Sequence, residues 1–165
     1  ALEPVHTILE TATQQLRTRV SVDGRVSARL VEEHQTATHG LAWLATYSQS
    51  LTQMQRWAEG LNQTNTFGET EQLILQITFG EYLWQIYGGI QMNQGEILRL
   101  QDLGLNQNDM QGLMEPAVQT LTQQGNTQNA RVRLVELMQE QSANVTVGAT
   151  GLDDELEMIR EQFRR

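Results

Sequence analysis

Apolar residues recur every three or four positions along most of the chain, and this spacing restricts the fold more than any other feature. Such spacing places them on one face of a helix and does not fit the alternation of a β-strand. The first segment follows Pro4, which suits the opening turn of a helix, and should end before Asp23-Gly24. Its apolar positions are Val5, Ile8, Leu9, Ala12 and Leu16.

A second and longer helix is predicted from Ser27 to Leu61, with the Ser27 hydroxyl as its N-cap. At 1.5 Å per residue it would span about 50 Å. Gly40 lies inside this helix, where it either permits close packing or marks a kink. One stripe of side chains should face the core: Leu30, His34, Ala37, Leu41, Leu44, Ser48, Leu51 and Ala58, widened by Trp43, Tyr47, Met54 and Trp57.

The segment Glu69–Tyr87 is the most apolar in the chain and should form a third helix that ends at Gly88-Gly89. A helix that is apolar on two faces is usually buried on both. This helix is therefore expected either at the centre of a bundle or within a surface that docks on a partner. One face has Leu73, Ile77, Gly80, Trp84 and Tyr87, and the other has Leu75, Phe79, Tyr82 and Ile86.

The turn at Asp23-Gly24 allows two interpretations. The flanking residues alternate as in a short hairpin, since Asp-Gly favours a tight turn between strands. An isolated two-stranded ribbon is only marginally stable in water. We therefore expect a junction between two helices here.

The second half of the chain contains shorter elements. Ile90–Leu105 has no clear period and should be a structured loop, with a short helix at Glu96–Leu100. Asn106 should cap a short helix that runs through Met114, and Pro116 should open another that ends near Gln124. Two further helices are expected over Thr127–Gln141 and Asp153–Arg165, joined by a small, polar, extended linker at 142–151. The predicted fold is thus all-α: a bundle of about five to seven helices with one long helix and an apolar central helix.

Composition narrows the classes of function. The 165 residues include no cysteine, 11 basic residues that are all arginine, and 22 glutamines, and the net charge is -9. This charge disfavours nucleic acid and anionic membranes as partners, and no apolar run is long enough to span a bilayer. Ala1–Arg19 lacks the basic start and apolar core of a signal peptide, so we expect a cytoplasmic protein.

No set of residues predicts a catalytic, cofactor or metal site. His34 and His39 lie about 140° apart around one helix, and His6 is distant in sequence, so the histidines do not converge on a metal. The glycine motifs that bind nucleotides and the serine motif of hydrolases are missing. Glu81 and Glu96 have apolar neighbours, and an ion pair with Arg99 or another arginine is expected for each. The aromatic residues fall at helical spacings and are expected mainly in the core, in preference to a small-molecule pocket: Trp43, Tyr47, Trp57, Tyr82, Trp84 and Tyr87.

Several strings of residues nevertheless resemble a known family. They are His39–Tyr47 (HGLAWLATY), Phe79–Leu83 (FGEYL), Gly88–Glu96 (GGIQMNQGE), and Arg99 with Asp102–Leu105 (DLGL). Together they are similar to the N-terminal extension that precedes the flavoprotein core of methylsuccinyl-CoA dehydrogenases, a branch of the acyl-CoA dehydrogenase superfamily. The tail, Leu152–Arg165, resembles the first helix of the catalytic region. The abundance of Gln and Thr departs from the family pattern.

The resemblance implies three regions: a helical accessory domain at 1–141, a linker at 142–151, and the start of the catalytic region at 152–165. It implies FAD, a glutamate base and oxidation of methylsuccinyl-CoA to mesaconyl-CoA for the longer protein, with every catalytic and flavin-binding residue beyond Arg165. We therefore expect a non-catalytic domain that docks on the dehydrogenase core of its own chain or of a dimer partner within a homo-oligomer. Glu69–Tyr87 and Ile90–Leu105 are the expected contacts. The alternative is an independent helical module that self-associates through the same apolar helix.

Overall fold

The computed structural model describes residues 1–140 and 153–163, and these residues form seven α-helices with two very short antiparallel hairpins. The predicted all-α class is confirmed. The helices are α1 (Leu2–Arg19), α2 (Ala28–Glu33), α3 (Gln35–Gln63), α4 (Glu69–Gly88), α5 (Pro116–Gln124), α6 (Gln128–Glu140) and α7 (Asp154–Phe163). The strands are β1 (Ser21–Val22), β2 (Arg25–Val26), β3 (Ile90–Gln91) and β4 (Ile97–Leu98), and two 3₁₀ turns cover Leu100–Leu103 and Gln111–Met114.

The core lies where α1, α3 and α4 meet, with both 3₁₀ turns and α5 closing it. The spacing in α1 predicted its buried face, since Val5, Ile8, Ala12 and Leu16 are all buried. Each fully buried side chain of this size stabilises the fold by about 1.5–3 kcal/mol. The centre of the core is therefore an ordinary helix-on-helix contact. Its largest buried side chains are Ile8, Leu44, Leu51, Leu83, Ile86, Ile90, Leu98, Leu103 and Leu113.

The predicted single helix from Ser27 to Leu61 is wrong at its start. The chain breaks at His34, where φ is -107° and ψ is 28°, so that α2 and α3 are separate helices. Residues 32–36 are all exposed, and α2 has no buried residue, so no packing holds a continuous helix through this segment. Ser27 occupies the N-cap position of α2 without a side-chain capping bond.

Gly40 does not mark the break. It is buried in α3 against the side chain of Leu98, and a Cβ at this position would lie 2.8 Å from Leu98 Cδ2. Of the two roles considered for this glycine, the structure shows close packing.

The junction at Asp23-Gly24 is a hairpin, so the expected helix–loop–helix connection is wrong. Asp23 has φ 49° and Gly24 has φ 75°, and positive φ at both central positions is the condition for a type I′ turn. Ser21 pairs with Val26, and Val22 pairs with Arg25. A two-stranded ribbon is only marginally stable on its own. Here the Ser27 N–H donates to the Val20 carbonyl at 2.8 Å, and this bond extends the strand pairing to the end of α1 and the start of α2.

A second hairpin replaces the helix expected at Glu96–Leu100. Ile90 pairs with Leu98, and Gln91 pairs with Ile97. The side-chain oxygen of Asn93 accepts from the N–H groups of Gly95 and Glu96 at 2.9 and 3.1 Å, which fixes the connecting turn. Because Ile90 and Leu98 are buried, this segment forms part of the core.

The helix α4 combines the two positions considered for it, because part of it lies in the core and part of it is exposed. Phe79, Leu83 and Ile86 are buried in the core, while Gly80 packs against the turn between α5 and α6. In its last five residues Ile86 is buried while Trp84 and Tyr87 are exposed, and Gly89 ends the helix at φ 133°.

The remaining elements follow the predictions with one exception. Asn106 accepts from the N–H groups of Asn108 and Asp109 as a cap does, but only a turn and a 3₁₀ segment follow it. The helices α5, α6 and α7 form close to their expected bounds. The predicted linker at 142–151 lies outside the described residues. Within the part of the chain that the structure describes, no helix combines the length and apolar character needed to cross a bilayer.

Candidate interaction surfaces

The three histidines have different surroundings. His6 Nε2 lies 3.0 Å from the Thr52 hydroxyl, and His39 Nε2 accepts from the indole N–H of Trp43 at 3.0 Å. His34 is exposed at the break before α3. Among the described residues, no three acidic or histidine side chains form a group that could bind a metal ion.

A polar network connects α3, α4 and the start of α6. Tyr47 donates to Gln85 Oε1 at 2.6 Å, and Gln85 donates to Glu81 Oε1 at 2.8 Å. Glu81 also accepts from Asn126 and from Arg131 Nη2, the latter at 3.4 Å. The expected ion pair of Glu81 with an arginine is thus confirmed, and Arg131 is the partner.

Tyr47 in this network remains a hydrogen-bond donor. Burial raises the pKa of its phenol, and the neighbouring Tyr82 and Glu81 raise it further, because each disfavours a second negative charge. Tyr47, Gln85 and Glu81 each have a hydrogen-bond partner in this network, which therefore connects α3, α4 and the start of α6.

The ion pair expected for Glu96 does not form within the described ranges. Its carboxylate accepts from Asn93 Nδ2 at 2.5 Å across the hairpin turn. Arg99 instead begins the following 3₁₀ turn, and its backbone N–H donates to Asp102 at 2.7 Å. Glu96 and Arg99 thus each bond to a residue three positions away within a turn, Asn93 and Asp102 respectively, and not to each other.

Of the six aromatic residues expected mainly in the core, Trp57 is half-buried, and the other five divide into two groups. His39, Trp43, Tyr47 and Tyr82 form a ladder of edge-to-face contacts, with successive ring centroids 6.3, 6.1 and 4.5 Å apart. This part of the expectation of core packing is confirmed. Trp84 and Tyr87 contradict it, because they are 57% and 49% exposed near the C-terminal end of α4, with their rings 6.4 Å apart.

Two exposed apolar areas are therefore candidates for binding a partner. The first, the aromatic end of α4, consists of Trp84 and Tyr87, and the expected contact loop adds exposed Ile97. The second is a stripe on α6, formed by Val132, Val135 and Met138. The sequence analysis missed this stripe; the signal for it is a second set of apolar residues, at intervals of three, beside the buried Ala130 and Leu137 of the same helix.

An apolar groove of about 520 Å³ lies elsewhere, between the start of α1, α4 and α5. Its lining includes Leu2, Phe67, Leu75, Phe79 and Leu121, and three glutamines but no charged side chain.

The fold and these surfaces define a class: an all-α bundle whose described residues present exposed apolar areas and no convergent chemical group. No protein-family model matches the chain. Over all 165 residues, however, the chain is 53% identical to a (2S)-methylsuccinyl-CoA dehydrogenase from Cereibacter sphaeroides. The resemblance found in the sequence is thus confirmed. The chain spans 29% of the length of that relative, consistent with an N-terminal segment of such an enzyme.

Proposed function

We propose that this chain is a non-catalytic accessory domain of an FAD-dependent acyl-CoA dehydrogenase that converts methylsuccinyl-CoA to mesaconyl-CoA. In this proposal it docks on the dehydrogenase core of its own chain or of a dimer partner. FAD and the acyl-CoA bind to the core, and no residue of the accessory domain touches them. The high identity to less than a third of an acyl-CoA dehydrogenase supports the family part of this proposal.

The observation that carries the docking role is the exposure of Trp84 and Tyr87. Tryptophan and tyrosine are the residue types most often found at the energetic centre of protein interfaces. Both are more exposed than the other apolar side chains of α4, which are buried or half-buried, so burying them needs a second surface. The apolar stripe on α6 provides a further area for the same contact.

The experiment mixes the 165-residue chain with a catalytic region taken from the Cereibacter relative without its homologous segment. We expect a complex by size-exclusion chromatography, with flavin absorbance only in the catalytic region. Trp84→Ser with Tyr87→Ser should weaken binding at least about tenfold, since hot-spot residues cost about 2 kcal/mol or more on truncation.

The matched control is Val22→Ser with Val26→Ser, which changes two equally exposed apolar residues on the β1–β2 hairpin. This variant should bind the catalytic region as the unchanged chain does. Flavin bound to the 165-residue chain alone, or equal loss of binding in both variants, would contradict the proposal.

The alternative, an independent module that self-associates through α4, is favoured by the same two aromatic residues. It predicts that the Trp84 and Tyr87 substitutions convert a dimer of the isolated chain to a monomer. Sedimentation of that variant separates the two functions, because docking on a core leaves the state of the isolated chain unchanged.

A further inference from the structure

An exposed arginine lies close to the C-terminal end of α4. Gly89 ends that helix, and continuing the pairing of β3 with β4 by one residue places Gly89 opposite Arg99. The Cγ atom of Arg99 lies 3.9 Å from the point that a Cβ on Gly89 would occupy, and Cγ2 of Ile97 lies nearer still. The side chains of Ile97 and Arg99 therefore both lie where α4 ends.

Ile97 and Arg99 share the outer face of the β3–β4 hairpin. Successive side chains of a strand point to opposite faces, and Arg99 keeps an extended backbone with φ -104° and ψ 151°. Leu98, between them, is buried, whereas Ile97 and Arg99 are exposed. Arginine and aromatic side chains contribute most to the binding energy of protein interfaces, so Arg99 adds to the aromatic end of α4 a third residue of that kind.

The guanidinium of Arg99 has no partner within the described ranges. It forms neither an ion pair nor a side-chain hydrogen bond there. The two acidic residues nearest to it in sequence are bonded elsewhere, since Glu96 accepts from Asn93 and Asp102 accepts from the backbone N–H of Arg99. The positive charge at this place is therefore left for another molecule or another part of the protein.

Docking through the aromatic end of α4 would take this charge out of water. An interface of standard size covers about 800 Å² on each partner, which is enough to include the adjoining hairpin. A charge that loses its water without gaining a countercharge opposes binding. The partner must therefore provide an anion, and the anionic side chains of a protein surface are the carboxylates of aspartate and glutamate. A guanidinium can bind a carboxylate through two parallel hydrogen bonds.

We propose that Arg99 binds a carboxylate of the dehydrogenase core when the aromatic end of α4 docks on that core. This inference rests on the proposed function, because the core is the partner in both. The apolar contacts of Trp84 and Tyr87 provide affinity in any orientation that buries them. The paired hydrogen bonds of Arg99 select the orientation that brings the carboxylate to the hairpin.

The first test uses the absence of lysine, since all basic residues of the chain are arginine. Arg99→Lys introduces one side-chain amine beside the end of α4 and keeps the positive charge. In the complex with the catalytic region of the Cereibacter relative, a carbodiimide should join this amine to a carboxylate of that region. Mass spectrometry of the peptides then identifies the aspartate or glutamate. Arg56→Lys places the same amine on an exposed position of α3 and should give no link to the catalytic region.

The second test is a double-mutant cycle on the identified pair. Arg99→Gln should raise the dissociation constant of the complex at least about tenfold, as expected for a central arginine of an interface. Changing the identified carboxylate to its amide should have a similar effect. Both changes together should cost less than the sum of the two, because neither charge is then left unpaired. Arg56→Gln should bind as the unchanged chain does, and circular dichroism reports the fold of each variant.

The outcomes separate this inference from the proposed function. If Trp84→Ser with Tyr87→Ser weakens the complex while Arg99→Gln binds like Arg56→Gln, the carboxylate pair is wrong and the docking role stands. Additive costs in the cycle, or links from position 56 as abundant as those from position 99, would also overturn the pair alone. If the unchanged chain forms no complex with the catalytic region, both the docking role and the pair are wrong.

Discussion

The two hairpins have the same strand length and antiparallel pairing, yet they occupy opposite environments. In β1–β2 the two valines face solvent, whereas in β3–β4 Ile90 and Leu98 are almost completely buried. The first is held to the bundle by the helices at its ends, and the second by the contact of Leu98 with Gly40 in the middle of α3.

This difference shows that the interactions that form a hairpin are not the same as those that bury it in the core. Turn chemistry forms both ribbons: positive φ at Asp23 and Gly24 in one, and the side-chain bonds of Asn93 in the other. The second ribbon is part of the core, with Ile90 buried and with Leu98 in the space that the glycine of α3 leaves for it. The four predictions below test this comparison.

The largest expected effect is that of Leu98→Ala. Removing a fully buried leucine costs about 2–5 kcal/mol, since the cavity adds to the lost transfer free energy. Val26→Ala on the other hairpin should change the free energy of unfolding by no more than about 0.5 kcal/mol. Urea denaturation followed by circular dichroism measures both, and similar losses in the two variants would show that the hairpins are not differently anchored.

Gly40→Ala should cost about 1–2 kcal/mol. The new methyl group would lie 2.8 Å from Leu98 Cδ2, and overpacking of this kind costs about 1–3 kcal/mol, against which alanine recovers about 1 kcal/mol of helix propensity. Gly60→Ala is the matched control, because it lies in the same helix with no atom near its new Cβ, and it should stabilise the fold by about 0.5–1 kcal/mol.

A double-mutant cycle then tests whether Leu98 is the residue that constrains Gly40. In the Leu98→Ala background the cost of Gly40→Ala should disappear, because the clashing side chain has been removed. An unchanged cost in that background would mean that Gly40 is constrained by something other than Leu98.

A smaller effect is expected at the hairpin tips. Gly24→Ala should cost about 1 kcal/mol, because Gly24 has φ 75°, where side chains other than glycine are strained. Gly95→Ala in the other turn should be neutral within about 0.5 kcal/mol, since that glycine has neither a positive φ nor a close neighbour. Thermal unfolding of both variants measures this difference. Equal shifts in Tm would contradict the conclusion that Gly24 is needed for the positive φ of its turn.

The sequence predicted the helices well wherever one face is buried. The spacing of Val5, Ile8, Ala12 and Leu16 identified the inner face of α1, and Gly88-Gly89 identified the end of α4. The β3–β4 hairpin was missed because it is stabilised by α3, which is far away in sequence. At Asp23-Gly24 a hairpin was one of the two interpretations, and the helix junction was preferred because an isolated ribbon is only marginally stable. Nothing near Leu98 indicates that Gly40 will leave space for it, and no local pattern shows that the ends of two helices will support a two-residue ribbon.

The candidate surfaces were predicted less completely for a related reason. The helical spacing shows that Gly80, Trp84 and Tyr87 share a face of α4. It does not show that the turn between α5 and α6 covers this face at Gly80 while Trp84 and Tyr87 remain exposed. Whether an apolar residue is core or interface depends on the lengths of its neighbours.

The smallest expected effect concerns α6, which is held to α4 partly through charge. Arg133 makes two parallel bonds to Glu69, at 2.8 and 2.9 Å. Hydrogen bonding by the guanidinium lowers the pKa of the Glu69 carboxyl below its ordinary value. The pair therefore stabilises the fold above the ordinary pKa of a glutamate, and this contribution is lost as the pH falls through the lowered pKa.

Because both side chains are exposed at the surface, solvent screens the pair, and its loss should shift Tm less than the loss of Leu98 does. Arg133→Gln should be slightly less stable than the unchanged chain at pH 7 and equal to it at acid pH, where Glu69 is protonated. Arg56→Gln, which removes an exposed arginine of α3, should follow the unchanged chain at every pH. A difference between Arg133→Gln and the unchanged chain that persists in acid would mean that Arg133 holds α6 through packing of its aliphatic stem, in the way that Leu98 holds β3–β4, and not through its charge.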